Sequence, residues 1–475
     1  MRPDDSILAQ AWDTTALRRL GRAFSDLAVG ELTQGAGGPV RHPEFLARTR
    51  ALLRVRGGVR QTPGWMRQLA AASLHQSHPC AMAQQICAPL PLAALVESLV
   101  AALNQSIAVW EMSPAGTLVD RRVMEDFKHL LGLPASADGT LTPGGSFANL
   151  TALLAARAAL APRAWKGGSG DARIAILAGA HTHYSVKRAA AILGLGADCV
   201  FPIALDAEFR ADPTAIPSAA RQARAAGFRK FILVATSGST PTGSFDDIEA
   251  FHAAARRMKA WLHVDAAHGG GMAFSRRLRP LLDGLERADS LAFDPHKMMF
   301  MPLSAGAVLL RRGADLRGAF EQDAPYLFSP MRREVADVGP FTLACSQRFE
   351  ALKIWLVGKA YGPRLFAAAA EQVCDSAQAG YRYCRGSKRL EPLHQPESNI
   401  FCFRLRSAPA GAGGDKLHWD LKEAVNGSGR GYISSTVLSG RRCLRLVVMN
   451  PRTRPEHVER VLRLVERLAA KAGVA

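Results

Sequence analysis

The sequence predicts an α/β fold: a largely parallel sheet covered by helices on both faces, a smaller C-terminal α+β unit and an N-terminal helical segment. Three observations carry this. Six short apolar runs between residues 172 and 311 alternate with helix-like segments. Continuous apolar strands joined by helices are the pattern of a parallel sheet buried on both sides. After a helix near 349–362 the pattern changes to three strand-like and two helical segments, the mark of a separate small unit. The first 77 residues read as amphipathic helices with no core of their own.

In chain order, the N-terminal helices are broken by GAGGP (35–39) and RGG (56–58). The apolar stretch PLPLAALVESLVAALNQSIAVW (89–110) predicts a mostly buried helix, and LVDRRVMEDFKHLLG an amphipathic one ending at Gly132. Strands are predicted at 172–178, 198–204, 230–236, 261–267, 290–294 and 305–311, separated by segments such as SVKRAAAILG and DDIEAFHAAARRMKA. The C-terminal unit contains SNIFCFRLR, YISSTVLS and RCLRLVVM, with helices in DKLHWDLKEAVN and PEHVERVLRLVERLAAKA. The division expected is 1–77, 78–360 and 361–475.

A chain of 475 residues with 48% hydrophobic residues can bury a large core. No uninterrupted apolar run of about 18 residues occurs, and MRPDDSILAQAWDTT places acidic residues where a signal peptide needs a basic, then apolar, segment. A cytoplasmic protein without membrane contact is expected. The eight cysteines lack CxxC or Cys/His ligand spacing, so neither a zinc site nor a disulfide framework is indicated, and no metal is expected. The net charge of +19 comes from basic residues spread along the chain, with Arg-Arg pairs at 18, 121, 256, 276, 311, 332 and 441. No basic tail with interleaved aromatics accompanies them, so solvated helix faces explain the charge better than a nucleic-acid site.

Ligands of open parallel sheets collect at the carboxyl ends of the strands, and four segments carry polar residues there. Gly144, Gly145 and Ser146 precede a helix, where backbone N–H groups and the helix dipole suit a phosphate; the same turn is also an ordinary cap. Asp265 closes an apolar strand and needs a cation or proton donor, or serves as a loop anchor. His181 and His183 precede another helix, as functional groups or as caps. Lys297 lies between Pro295-His296 and the apolar run Met298–Pro302. Burial there would leave a nucleophilic amine able to form an imine, whereas a snorkelling lysine is the plainer alternative. Together the four match pyridoxal phosphate: the phosphate needs the turn, the pyridine nitrogen a carboxylate, and the aldehyde an amine.

The wording and order of these segments resemble the group II pyridoxal-phosphate-dependent amino-acid decarboxylases, the family of glutamate, aromatic amino acid, cysteine sulfinate and 2,4-diaminobutyrate decarboxylases. The resemblance runs from HPCAMAQQ (78–85) to LRLVVMNPRT (444–453). It includes LNQSIAVWEMSPAGT, GGSFANL, HYSVKRAAAILG, TSGSTPTGSFDDI, HVDAAHGGG, DPHK and CSQRFEALKIWL. DPHK and HVDAA in this order are its most specific parts.

The resemblance implies a fold-type I, aspartate-aminotransferase-like architecture, a homodimer whose N-terminal segment packs on the partner, and an amino-acid substrate. It implies that Lys297 binds the cofactor covalently, Asp265 pairs with the pyridine nitrogen, His183 stacks on the ring and Ala267 packs on its other face. Gly145, Ser146 and His296 hold the phosphate, and Thr240 lies near the ring substituents. The family commonly has asparagine where Asp294 stands here. FEQDAPYLF (320–328) resembles the family's catalytic loop, which makes Tyr326 the proton donor to Cα. Members with phenylalanine there tend to be aldehyde synthases. Gln84 and Arg445 match substrate-binding positions, although the family asparagine before the glutamine is Ala83 here.

The function expected is decarboxylation of an L-amino acid to its amine and carbon dioxide. The alternatives are an aldehyde synthase or another lyase using the same cofactor and, from a different class, a basic nucleic-acid-binding protein that retains the fold without catalysis.

Overall fold

The computed structural model describes residues 11, 13–34, 38–55, 58–169, 172–320, 324, 327–328 and 337–473. Its strands, in chain order, are β1 (Ala81–Met82), β2 (Asp138–Thr142), β3 (Ile174–Gly179), β4 (Val200–Ile203), β5 (Lys230–Thr236), β6 (Trp261–Ala266), β7 (Ser290–Phe293), β8 (Gly306–Leu310), β9 (Leu390–Pro392), β10 (Ile400–Leu405), β11 (Tyr432–Leu438) and β12 (Arg441–Val447). The larger sheet has the order β2-β8-β7-β6-β5-β3-β4. Only β8 runs against the others, pairing antiparallel with both β2 and β7. The six strands predicted between 172 and 311 all form here.

Alternation of side chains across the sheet builds two cores. Ala175, Leu177, Leu233 and Ala235 enter one of them, with Phe251 and Ala254 from the helix Ile248–Met258. Ile174, Ile176, Ile232 and Val234 enter the other, with Ala148 and Ala152 from the helix Gly145–Leu160. Every residue of β3 and β6 is buried. Each large aliphatic side chain so buried contributes about 1.5–3 kcal/mol, enough to offset an ordering cost of about 1–2 kcal/mol per residue. His263 and Asp265 of β6 are polar exceptions in this setting and therefore require internal partners.

The smaller sheet has the order β1-β11-β12-β10-β9. Residues 81–82 lie in the span assigned by sequence to the large domain, yet they pair parallel with Tyr432 and Ile433 of β11. The helix Pro455–Lys471 buries Val458, Val461, Leu462 and Val465, spaced i, i+3, i+4 and i+7, against this unit.

The N-terminal helices Thr14–Gln34, Phe45–Leu52 and Thr62–Ala72 bury little: Phe45–Leu52 buries nothing, and Thr62–Ala72 only Ala72. One expectation is corrected. The apolar stretch 89–110 yields the helix Pro91–Leu103, which is buried along Ala93, Val96 and Val100 only. Leu95, Leu99 and Leu103 are 41%, 47% and 44% exposed. An apolar run shows that both faces tolerate burial, but it does not say that this chain covers both.

Candidate active site

Strands β2, β3, β5, β6 and β7 share one direction, so their carboxyl ends open on one edge of the sheet. A cavity of about 360 Å³ lies there, lined by Gly144, Gly145, Ser146, His183, Thr240, Asp265, Ala267, His296 and Lys297 among others. Its volume falls within the ordinary range for small-molecule sites. Residues from five strand ends thus meet, although the sequence separates the first and last by about 150 positions.

Lys297 sits in the turn after β7, its backbone N–H bonded to the Asp294 carbonyl at 2.9 Å. Its side chain is 18% exposed, and Nζ lies 3.4 Å from Asp294 Oδ2. The apolar run that follows it, Met298 to Met301, is core. The ammonium therefore marks the boundary between core and cavity. Asp294 is itself buried, and its Oδ1 has no hydrogen-bond partner. His296 joins this group, with Nδ1 2.6 Å from the Ala305 carbonyl and Nε2 3.6 Å from Asp294 Oδ2. Burial holds the His296 pKa below its ordinary value.

Asp265 is buried near the end of β6, where Oδ2 accepts from Asn149 Nδ2 at 2.9 Å and Oδ1 from the Ala267 N–H at 3.2 Å. Both oxygens thus have a donor inside the protein. His183 caps the helix Tyr184–Ile192, its Nδ1 accepting from the Ser185 N–H at 3.3 Å. Burial lowers its pKa, against the opposing pull of Asp265.

The turn at Gly144–Ser146 is sterically defined. A Cβ on Gly145 would lie 2.8 Å from Asp294 Oδ2 and 3.0 Å from the Ala267 Cβ. Gly144 adopts φ +133°, a conformation that favours glycine. Ser146 Oγ accepts from Arg188 Nη2 at 2.9 Å, which brings a guanidinium to the head of the helix.

The remaining expected residues lie elsewhere. Gln84 is exposed and does not line the cavity. Arg445 is buried on β12 behind His268, close enough for its charge to lower the His268 pKa. Its Nη1 donates to Ser434 Oγ at 3.3 Å, whereas Nε and Nη2 have no partner. Tyr326 lies outside the described residues.

Sequence reasoning missed Asn149, Arg188 and His268. His268 lines the cavity, with Nε2 2.8 Å from Asn399 Oδ1 and its pKa pushed down to about 3, chiefly by burial. The one legible signal was at Asn149, an amide in the otherwise apolar and small-residue start of the helix Gly145–Leu160. The geometry fits the cofactor read from the motifs. A glycine turn that a Cβ would obstruct stands beside a guanidinium, a carboxylate is held by two donors, and an amine lines the same cavity.

Comparison with known proteins agrees. The model of the pyridoxal-dependent decarboxylase conserved domain matches residues 65–406. The L-2,4-diaminobutyrate decarboxylase of Rhizobium meliloti is 35% identical over 388 residues, covering 81% of this chain and 77% of that protein. The crystal structure of mouse CSAD superimposes with a TM-score of 0.89 at 28% identity, covering 96% of this chain and 99% of that one. The structure of Oryza sativa TDC with PLP and tryptamine, at 24% identity and a TM-score of 0.86 over 97% of this chain and 99% of that one, shares the fold. With a family model matched across most of its length and a cavity built to suit the cofactor, the chain belongs to the pyridoxal-dependent decarboxylase family and is a pyridoxal-phosphate-dependent amino-acid decarboxylase.

Proposed function

We propose that the cavity decarboxylates a free L-amino acid to the corresponding amine, with Lys297, Asp265 and His183 as its central groups and L-2,4-diaminobutyrate as the first substrate to test. The observation that carries the proposal is the convergence of Lys297 and the doubly hydrogen-bonded Asp265 on one cavity at the strand ends. The choice of substrate rests on the 35% identity to the diaminobutyrate enzyme.

Bound pyridoxal phosphate supplies an aldehyde that condenses with amines and a protonated ring that accepts the electron pair left when carbon dioxide departs. The chain's own residues do the rest. Gly145 and Ser146, with Arg188 beside them, bind the phosphate through N–H groups at the head of a helix. His296 closes the same side. Asp265, its oxygens positioned by Asn149 and the Ala267 N–H, would pair with the ring nitrogen. His183, Ala267 and Thr240, which line the same cavity, would hold the ring. Lys297, whose amine lines the cavity, would hold the cofactor through its aldehyde.

Tyr326 delivers the proton to Cα, which gives amine rather than aldehyde. Arg445, with Nε and Nη2 unspent, attracts the substrate carboxylate, and Gln84 is the second substrate-binding residue. The chain works as a homodimer in which segment 1–77 packs on the partner, the cofactor domain spans 78–360 and the small domain 361–475.

Absorption spectra and product analysis test this reading. Lys297→Ala is expected to lose both the visible absorption of the bound cofactor and carbon dioxide release. Tyr326→Phe is expected to keep the absorption, lose about 10²–10⁴-fold in amine formation and shift product toward aldehyde. Unchanged amine production by either variant would overturn the residue's role.

A further inference from the structure

A single chain of buried hydrogen bonds runs through the larger sheet, and one consistent set of proton directions satisfies it. Trp261 Nε1, which can only donate, lies 2.9 Å from Ser290 Oγ. Having accepted from the indole, Ser290 can still send its own hydroxyl proton onward to His263 Nδ1 at 3.0 Å. With Nδ1 accepting, His263 carries its proton on Nε2 and donates to Asn149 Oδ1 at 3.0 Å. This fixes the Asn149 amide with its nitrogen toward Asp265 Oδ2 and Ser185 Oγ, each at 2.9 Å. Ser185 presents His183 Nδ1 with two donors, its backbone N–H at 3.3 Å, which can only donate, and its hydroxyl at 2.8 Å. His183 is left with its proton on Nε2.

The orientation of an asparagine amide is normally ambiguous. Here the Asp265 end decides it: a carboxylate needs a donor and would repel the amide oxygen. The Trp261 end is compatible with the same orientation, because Ser290 can accept from the indole and donate to His263. Asn149, Ser185, His263 and Ser290 are each at most 1% exposed, so no water competes for these bonds.

We propose that Asn149 is a positioning residue that serves both sides of the cofactor cavity, spending one amide proton on the carboxylate of Asp265 and the other, through the Ser185 hydroxyl, on reinforcing the Nε2–H tautomer of His183 that the Ser185 N–H also favours. Its catalytic meaning rests on the roles proposed above for Asp265 and His183, but the proton arrangement does not. Burial supports the arrangement by keeping His263 neutral, its pKa pushed down to about 4. A neutral imidazole is what one donating and one accepting nitrogen require.

The test is nitrogen NMR of the full chain labelled with ¹⁵N-histidine, recorded with pyridoxal phosphate bound and again after its removal. The unmodified protein is expected to show His183 and His263 with the proton on Nε2 in both states. Asn149→Ala is expected to give a mixed His183 tautomer and about tenfold weaker cofactor binding, the loss of one charge-assisted hydrogen bond to Asp265. Ser185→Ala cuts only the histidine branch. It leaves only the 3.3 Å bond from the residue-185 N–H on Nδ1 and is expected to mix the His183 tautomer in part, while cofactor affinity stays within about twofold. If Asn149→Ala fails to fold, the Ser185→Ala spectrum decides. The proposal is overturned if His183 carries its proton on Nδ1, or if neither variant changes its tautomer. Failure of the decarboxylase assay alone would count against the proposed reaction and leave this proton arrangement standing.

Discussion

Arg445 is 5% exposed and leaves Nε and Nη2 without hydrogen-bond partners. Each unsatisfied buried group costs about 1–3 kcal/mol, and burial depresses the guanidinium's pKa. A residue held at such cost is suited to meeting an anion that arrives later. Arg445→Met is therefore expected to raise the stability of the substrate-free protein by about 1–3 kcal/mol while raising KM for the amino acid. Denaturation midpoints measured beside steady-state kinetics would check both, and an unchanged KM would remove Arg445 from the substrate site. Lys297 and Asp265 were legible in the sequence because each interrupts an apolar run, which a charged group rarely does without a reason. His268 was not, because its cavity position depends on contact with Asn399, 131 residues away.

At the scale of elements, the connection from β7 to β8 carries Lys297 and must be held still. Lys353, from the helix Ala351–Tyr361, does this from below. Its side chain is 0% exposed, and Nζ bonds the Pro302 carbonyl at 3.1 Å, Glu97 Oε1 at 2.6 Å and Glu350. Arg348 bridges the same two carboxylates, at 2.5 Å to Glu97 and 2.8 Å to Glu350. Removing a buried partner leaves carboxylates uncompensated, so Lys353→Ala is expected to cost about 3–5 kcal/mol. Urea unfolding would measure it; a loss below about 1 kcal/mol would mean that Arg348 suffices. The sequence reading recognised this helix but not its charge network, because Glu97 is 256 positions from Lys353.

For the whole molecule, the exposed leucines of the helix Pro91–Leu103 bear on assembly. Leu95, Leu99 and Leu103 recur at i, i+4 and i+8, forming a continuous apolar stripe of the kind that subunit contacts cover. Leu99→Asp is expected to be monomeric in light scattering, where the proposed homodimer is the state of the unmodified protein. A variant that remains fully dimeric would place the interface elsewhere. Acid stability follows from the buried titratable groups. Nine histidines have pKa values lowered chiefly by burial. Their protons are taken up by the unfolded chain first, so stability is lost as pH falls below the ordinary histidine value of about 6.5. Asp120, Asp246 and Asp289 are raised by burial, Asp246 to about 7, and act in the opposite sense. Nine groups outweigh three, so the urea midpoint is expected to be lower at pH 5 than at pH 7. An equal or higher midpoint at pH 5 would reverse that sign.

The sequence by itself determined the strand–helix alternation and the chemistry at the strand ends, because apolar periodicity and residue type are local properties. DPHK and HVDAA could be read without knowing what they touch. The tertiary structure decided which groups share protons and which surfaces stay bare. Asn149 became a link between Asp265 and His183 only when its helix packed across β6, and residues 81–82 joined the C-terminal sheet only through pairing with β11. Leu95, Leu99 and Leu103 read as core until the fold left them uncovered. Hydrogen-bond direction and burial depend on what lies opposite a residue in space, and no window along the chain contains that information.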